Sequence, residues 1–221
     1  IDYVVLSHAH YDHSGGLRSL CHSTRRKFEL ILNPNFFNKK FLQHSNDYLT
    51  YIGNDFSEEF LQVENIKTTF PLTDLFELGP QLYIMSNFEL VCDFEPRSPE
   101  FLVLKCGEYK LDYFTEEQVL IIKTTKGLIL VTGCAHSGIV NICESVRKSF
   151  KEPIHAILGG LHLMNSDMDR IAKTAQYFKD IGVQKLGACH CTGEVAKAYF
   201  AVEGPEFIEM PSGKVTYFDF D

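Results

Sequence analysis

Apolar and polar positions fall into one unit that repeats four times along the chain. Each unit is a short β-branched or aliphatic run, then a small-residue loop bearing histidine, then a helix-like segment. The first reads YVVL (3–6), SHAHYDHSGG, LRSLCHSTRRK; the second reads GLILV (127–131), TGCAHSG, IVNICESVRKSF. The third is IHAIL (154–158), GGLHLMN, SDMDRIAKTAQYFKDIG, and the fourth is VQKLGA (183–188), CHCTG, EVAKAYFAVEG. Uniformly apolar strands alternating with helices predict an α/β fold whose strands are covered on both faces. Ile139, Ile142, Cys143, Val146 and Phe150 recur at steps of three and four and predict one buried helix face. Ser166 and Asp169 stand at capping-box spacing ahead of the third helix, and Gly182 supplies its stop. In such units ligands gather beyond the carboxyl ends of the strands, which is where all four histidine loops lie.

The pattern breaks between residues 30 and 100, which are aromatic, loop-rich and free of repeats. LTYIGNDFSEEFL suggests helical turns, while LGPQLYIMS and FLVLKCG read as strands around Gly-Pro and Gly turns. No low-complexity linker flanks the stretch, so it is expected as an insertion covering the site within a single domain spanning 1–221. The tail FIEMPSGKVTYFDF predicts a hairpin turning at Pro-Ser-Gly-Lys.

Composition adds limits. A 221-residue chain buries enough apolar surface to fold without a disulfide or metal. The net charge of −8 argues against a nucleic-acid partner, which a basic face would serve. The small basic runs Arg25-Arg26-Lys27 and Lys39-Lys40 are expected on a solvated surface. Seven cysteines without a regular framework fit free thiols in a reducing cytosol. No apolar run reaches the roughly 18 residues of a membrane span. The chain opens on Ile1, directly in an apolar run, so a preceding segment is expected.

The candidate chemistry lies in SHAHYDH, residues 7–13. Imidazole and carboxylate are good ligands for zinc, and for manganese or iron. Alternate residues of an extended segment share a side, so His8 and His10 can grip one ion together. Asp12 and His13 follow as the chain turns at Ser14-Gly15-Gly16 and face a neighbouring position. The spacing suggests two metals, the arrangement that clamps the attacking and leaving oxygens of a displacement.

His8-x-His10-x-Asp12-His13 followed by Gly15-Gly16 resembles the signature of the metallo-β-lactamase superfamily, and TGCAH and ACHCTG extend the match with His136 and His190. The resemblance implies an αββα sandwich, with first strands that would precede Ile1, so the chain is expected to be N-terminally truncated. It also implies one divalent metal on His8, His10 and His136 and a second on Asp12, His13 and His190. The superfamily's bridging aspartate has no counterpart in Ile157–Leu163 (ILGGLHL), and Asp167 and Asp169 come later. Either His162 substitutes, or the second site is weak and one metal suffices. GGLHL, TGCAHSGIVN, EEQVLIIKT and CHCTG narrow the resemblance to the branch named for 7,8-dihydropterin-6-methyl-4-(β-D-ribofuranosyl)aminobenzene-5′-phosphate synthase. That branch implies condensation of a dihydropterin pyrophosphate with an arylamine ribose phosphate, releasing pyrophosphate.

Three functions stay open at this point: such a condensation, hydrolysis of a phosphate or other small-molecule ester, and a module that binds metal or ligand without turnover. The expected partner is a phosphorylated small-molecule substrate, with Asp12 as ligand and proton acceptor. His162 is a metal ligand, a general acid or phosphate contact, or a structural polar residue. Cys134, Cys189 and Cys191 are expected as small packing residues, and Gly15, Gly16, Gly159 and Gly160 as tight-turn positions. Glu116, Glu117 and Gln118 stand between a solvated turn and a working motif. His22, His44 and His155 are expected on the surface or on helices.

Overall fold

The computed structural model describes residues 1–24, 28–45 and 48–218. Arg25-Arg26-Lys27 and the last residues of the tail lie outside them. Three sheets organise the described residues. A parallel sheet joins β1 (Tyr3–Val5), β2 (Glu29–Ile31) and β5 (Lys67–Thr69). A four-stranded antiparallel sheet joins β3 (Lys39–Ser45), β4 (Tyr48–Tyr51), β8 (Phe101–Lys105) and β9 (Glu108–Leu111).

The seven-stranded sheet starts with the hairpin β6 (Leu75–Gly79) and β7 (Leu82–Ser86). It continues through β10 (Gln118–Thr124) and β11 (Gly127–Thr132), then β12 (Ile154–Gly160), β13 (Lys185–Cys189) and β14 (Glu206–Phe207). The last four strands run parallel. β11, β12 and β13 therefore deliver their histidine loops to one end, as the repeated unit predicts.

The helices are α1 (Tyr11–Ser14), α2 (Leu17–Ser23) and α3 (Glu58–Val63), then α4 (Ile139–Phe150), α5 (Met168–Asp180) and α6 (Glu194–Glu203). Leu17 of α2 and Leu61 of α3 share one apolar core with Leu30 of β2. Ile139, Ile142, Cys143 and Val146 of α4 join Ile171, Phe178 and Phe200 in a second core on the large sheet. Helices thus pack on the β1–β2–β5 sheet and on the seven-stranded sheet, as in an αββα sandwich. Gln118 ties the halves: its side chain donates to Leu6 O at 2.8 Å and Ile31 O at 3.2 Å, and its N–H to Ser7 O at 2.8 Å.

Several local expectations change. Within residues 30–100, β5 extends the β1–β2 sheet and β6–β7 belong to the large sheet, so only β3 and β4 join β8 and β9 in a separate sheet. LTYIGNDFSEEFL divides into β4 and α3, capped by Ser57, whose side chain accepts from Phe60 N. The cap of α5 is Asp167, accepting from Arg170 N at 2.9 Å, one residue beyond Ser166. The tail makes a turn at Pro211–Lys214 but forms no hairpin among the described residues, because Phe207 pairs with β13 instead. Gly15 and Gly16 adopt ordinary right-handed backbone, whereas Gly159 has φ +121. Lys40 is buried, contrary to the surface expected for the Lys39-Lys40 pair. His22 and His44 are exposed, and His155 is half-buried in β12.

Candidate metal centre

The motif does not stay extended. The chain bends at His8 and Ala9, and His10 forms an isolated bridge with Gly53. α1 begins at Tyr11, so the turn comes before Ser14 and carries Asp12 and His13 on its single helical turn. His8 and His10 consequently lie in the interior while Asp12 is exposed. Gly133 permits the approach of the second loop, because a side chain there would run into Ser7 beside His8.

Two triads result. Donor atoms of His8, His10 and His136 lie within 4.8 Å of one another, as do those of Asp12, His13 and His190. His13 Nε2 and His190 Nε2 are 3.0 Å apart, and Asp12 Oδ2 is 3.4 Å from the first and 3.2 Å from the second. The rings of His8 and His13 also touch, with centroids 4.2 Å apart, so the triads adjoin.

The Nε2 atoms of His8, His10 and His136 are buried and have no hydrogen-bond partner. A buried polar atom left so is costly, and three converging ones form a donor set that fits a divalent metal. Burial, reinforced by the neighbouring histidines and Lys40, holds the His8 pKa well below its ordinary range. Burial does the same for His136, and lowers His10 to about 3. These imidazoles are neutral at physiological pH, the form that ligates. Ser7 Oγ lies 3.0 Å from His8 Nδ1 and leaves Nε2 as the free nitrogen.

Residues beyond the motif fix the His136 loop. Glu117 accepts from His136 N at 2.7 Å and from Ser137 N at 2.8 Å. Glu116 accepts from Lys40 Nζ at 2.6 Å, and Asp112 from the same ammonium at 2.7 Å. Glu116, Glu117 and Gln118 are all buried, which removes the solvated-turn reading. The Phe114 ring stacks on His136 at 4.1 Å, and Phe101 meets it edge-on at 5.1 Å, so apolar surface closes over the triad.

Two thiols change the picture. Cys134 Sγ is 3.1 Å from His13 Nε2 and groups with His8 and His13. Cys134 also groups with His190 and Cys191. Their role as packing residues is therefore incomplete, since thiolate is itself a metal ligand. Cys189 joins no such group among the described residues. Contact with Cys134 and His162 favours the thiolate of Cys191. His162, in left-handed backbone at φ 52, packs its ring 4.2 Å from that of His136 and groups with Cys134 and His136. Its Nδ1 is another buried atom without a partner.

Comparison with known proteins bears on the family and the fold. The sequence model of the metallo-beta-lactamase superfamily matches residues 1–77. The chain is 33% identical over 224 residues to the 7,8-dihydropterin-6-methyl-4-(beta-D-ribofuranosyl)-aminobenzene-5'-phosphate synthase of Methanocaldococcus jannaschii, covering 99% of this chain and 76% of that protein. An uncharacterised protein of the same organism is 30% identical, over 87% of this chain and 69% of its own length. Among solved structures, a metal-dependent hydrolase of the beta-lactamase superfamily matches with a TM-score of 0.81 and 30% identity, covering 98% of this chain and 79% of its own. An isothiocyanate hydrolase from Delia radicum gut bacteria shares the fold alone, with a TM-score of 0.57 and 12% identity over 100% of this chain and 77% of its own.

Proposed function

The chain belongs to the metallo-β-lactamase superfamily, and from that premise we propose that it is a metal-dependent enzyme acting on a phosphorylated or pyrophosphorylated small molecule. The observation that carries the reading is the set of buried, unpartnered Nε2 atoms of His8, His10 and His136, with Asp12, His13 and His190 alongside. His8, His10 and His136 would hold one divalent ion, zinc, manganese or iron, and Asp12, His13 and His190 a second. Bound there, metal supplies Lewis-acid charge for phosphoryl or other developing oxyanions. The chain's part is to fix the ligands from three loops and exclude water with Phe101 and Phe114. Asp12, exposed like His190, would accept a proton at Oδ2, and His162 would exchange one at Nδ1.

The reaction we favour joins a dihydropterin pyrophosphate to an arylamine ribose phosphate with loss of pyrophosphate, on the likeness to the Methanocaldococcus synthase. Simple hydrolysis is the second reading, favoured by the likeness to a metal-dependent hydrolase. Incubating the metal-loaded protein with the pterin pyrophosphate, with and without the amine, separates them. Condensed product and pyrophosphate only when amine is present supports the synthase; equal turnover without amine supports the hydrolase. A chain that binds metal and turns over neither would be a binding module.

A further inference from the structure

Beside the histidines lies a cavity of about 400 Å³ whose wall includes His162 and Cys191, Arg97 from the loop after β7, and Arg170 from the first turn of α5. Its size is that of a small-ligand cleft. His162 is the link to the candidate metal centre, since its ring also packs on His136.

The two arginines are unusual for this chain. The Nε atoms of both are buried and have no hydrogen-bond partner. Among the described residues neither guanidinium makes a direct ion pair with a carboxylate, although Glu95 lies within electrostatic reach of Arg170, and Glu117 and Asp112 of Arg97. Both side chains are half-buried with Nε turned inward, and a guanidinium drawn partly from water without a paired anion is costly. Arg97 is also pre-set: one Nη donates to Tyr113 O at 2.7 Å and the guanidinium lies 5.0 Å from the Tyr113 ring centre. Its loop is pinned to α4 from two sides. Asn141 Oδ1 accepts from Val91 N and Cys92 N, each at 2.8 Å, and Glu95 accepts from Val140 N and Asn141 N, each at 3.0 Å. Asn165 and Ser166 add neutral donors to the wall. Exposed Glu100 also lines the cavity and is the one acid there.

We propose that Arg97 and Arg170 form the subsite for a phosphate monoester group of the substrate, held beside His162 while the reacting end lies at the histidine triads. The assignment rests on the reading that the substrate is phosphorylated. Guanidinium suits it, because its planar fork presents paired donors to phosphate oxygens. The subsite binds and orients, and no bond is made or broken in it.

The test is calorimetric titration of the metal-loaded chain with phenyl phosphate, alongside Arg97→Gln, Arg170→Gln and Arg170→Lys, with metal content measured on each. Each Gln variant is expected to bind about tenfold more weakly at unchanged metal content, the loss typical of a charge-assisted hydrogen bond, and Arg170→Lys to recover part of it. Unchanged affinity in both Gln variants would overturn the subsite. Binding lost on chelation alone would overturn it too, by placing the phosphate on the metals. Phenylglyoxal modification of the unmutated chain gives a second measurement that no folding defect can obscure. Phosphate should protect Arg97 and Arg170 but not exposed Arg147, and absence of that protection is equally fatal. If no phosphorylated substrate is turned over while protection persists, the functional reading fails and the subsite stands.

Discussion

Glu117 and His136 are joined by a 2.7 Å hydrogen bond in which the carboxylate accepts the histidine's backbone N–H, and the second carboxylate oxygen takes Ser137 N at 2.8 Å. A fully buried carboxylate, its pKa raised by burial, thus sets the loop that aims the third imidazole of the inner triad. Glu117→Gln puts an amide donor against a backbone donor. Metal affinity at the inner triad should fall roughly 10–100-fold, the usual cost of losing an outer-shell support. Competition with a chromophoric chelator measures this; unchanged affinity would show that the loop holds itself.

Lys40 is buried between Asp112 and Glu116, and its ammonium lies 5.3 Å from the Phe114 ring centre. Removing the cation leaves two carboxylates without compensation. Lys40→Met should therefore destabilise the fold by about 3–5 kcal/mol in denaturant unfolding. A loss below about 1 kcal/mol would mean that the carboxylates protonate at little cost.

The pH response follows from opposed shifts. Burial lowers His8, His10 and His136, so as pH falls below 6.5 the unfolded chain takes up protons first and stability drops. Glu116, raised to about 7 by burial, contributes in the opposite sense: its share is complete below 4.5 and is lost as pH rises through 7. Of these four groups, the histidines and Glu116 oppose each other between 4.5 and 6.5, and the histidines alone still act between 4.5 and about 3. In the chelated protein, His10→Leu should reduce the slope of stability against pH in that lower window by up to one proton, about 1.4 kcal/mol per pH unit. An unchanged slope there would show that His10 is not held neutral.

What could be read in the sequence was local. Each strand, loop and helix of the repeated unit is contiguous, so the end of the sheet that bears the histidines followed from period and turn residues alone. The αββα class and the expected grouping of His136 with His8 and His10, and of His190 with Asp12 and His13, came from the resemblance carried by SHAHYDH, TGCAH and ACHCTG. Lys40 could not be read, because its partners stand 72 and 76 residues away and a lysine pair otherwise signals surface. Cys134 and Cys191 meet only through the parallel register of β11, β12 and β13. Their spacing, 57 residues, carries no metal-site pattern. Arg97 and Arg170 were silent for the same reason: the cavity that unites them exists only when the loop after β7 packs against α4 and α5. Asp167 displaced Ser166 as a cap by one residue, a distinction that backbone geometry makes and composition does not.

Metal content per chain, measured by mass spectrometry on protein purified without a chelating tag, tests the central claim most directly. Two equivalents of divalent metal are expected. The inner one should be lost in His8→Ala and the outer one in His190→Ala. No uptake in the unmutated chain, even after incubation with zinc or manganese, would contradict the metalloenzyme account.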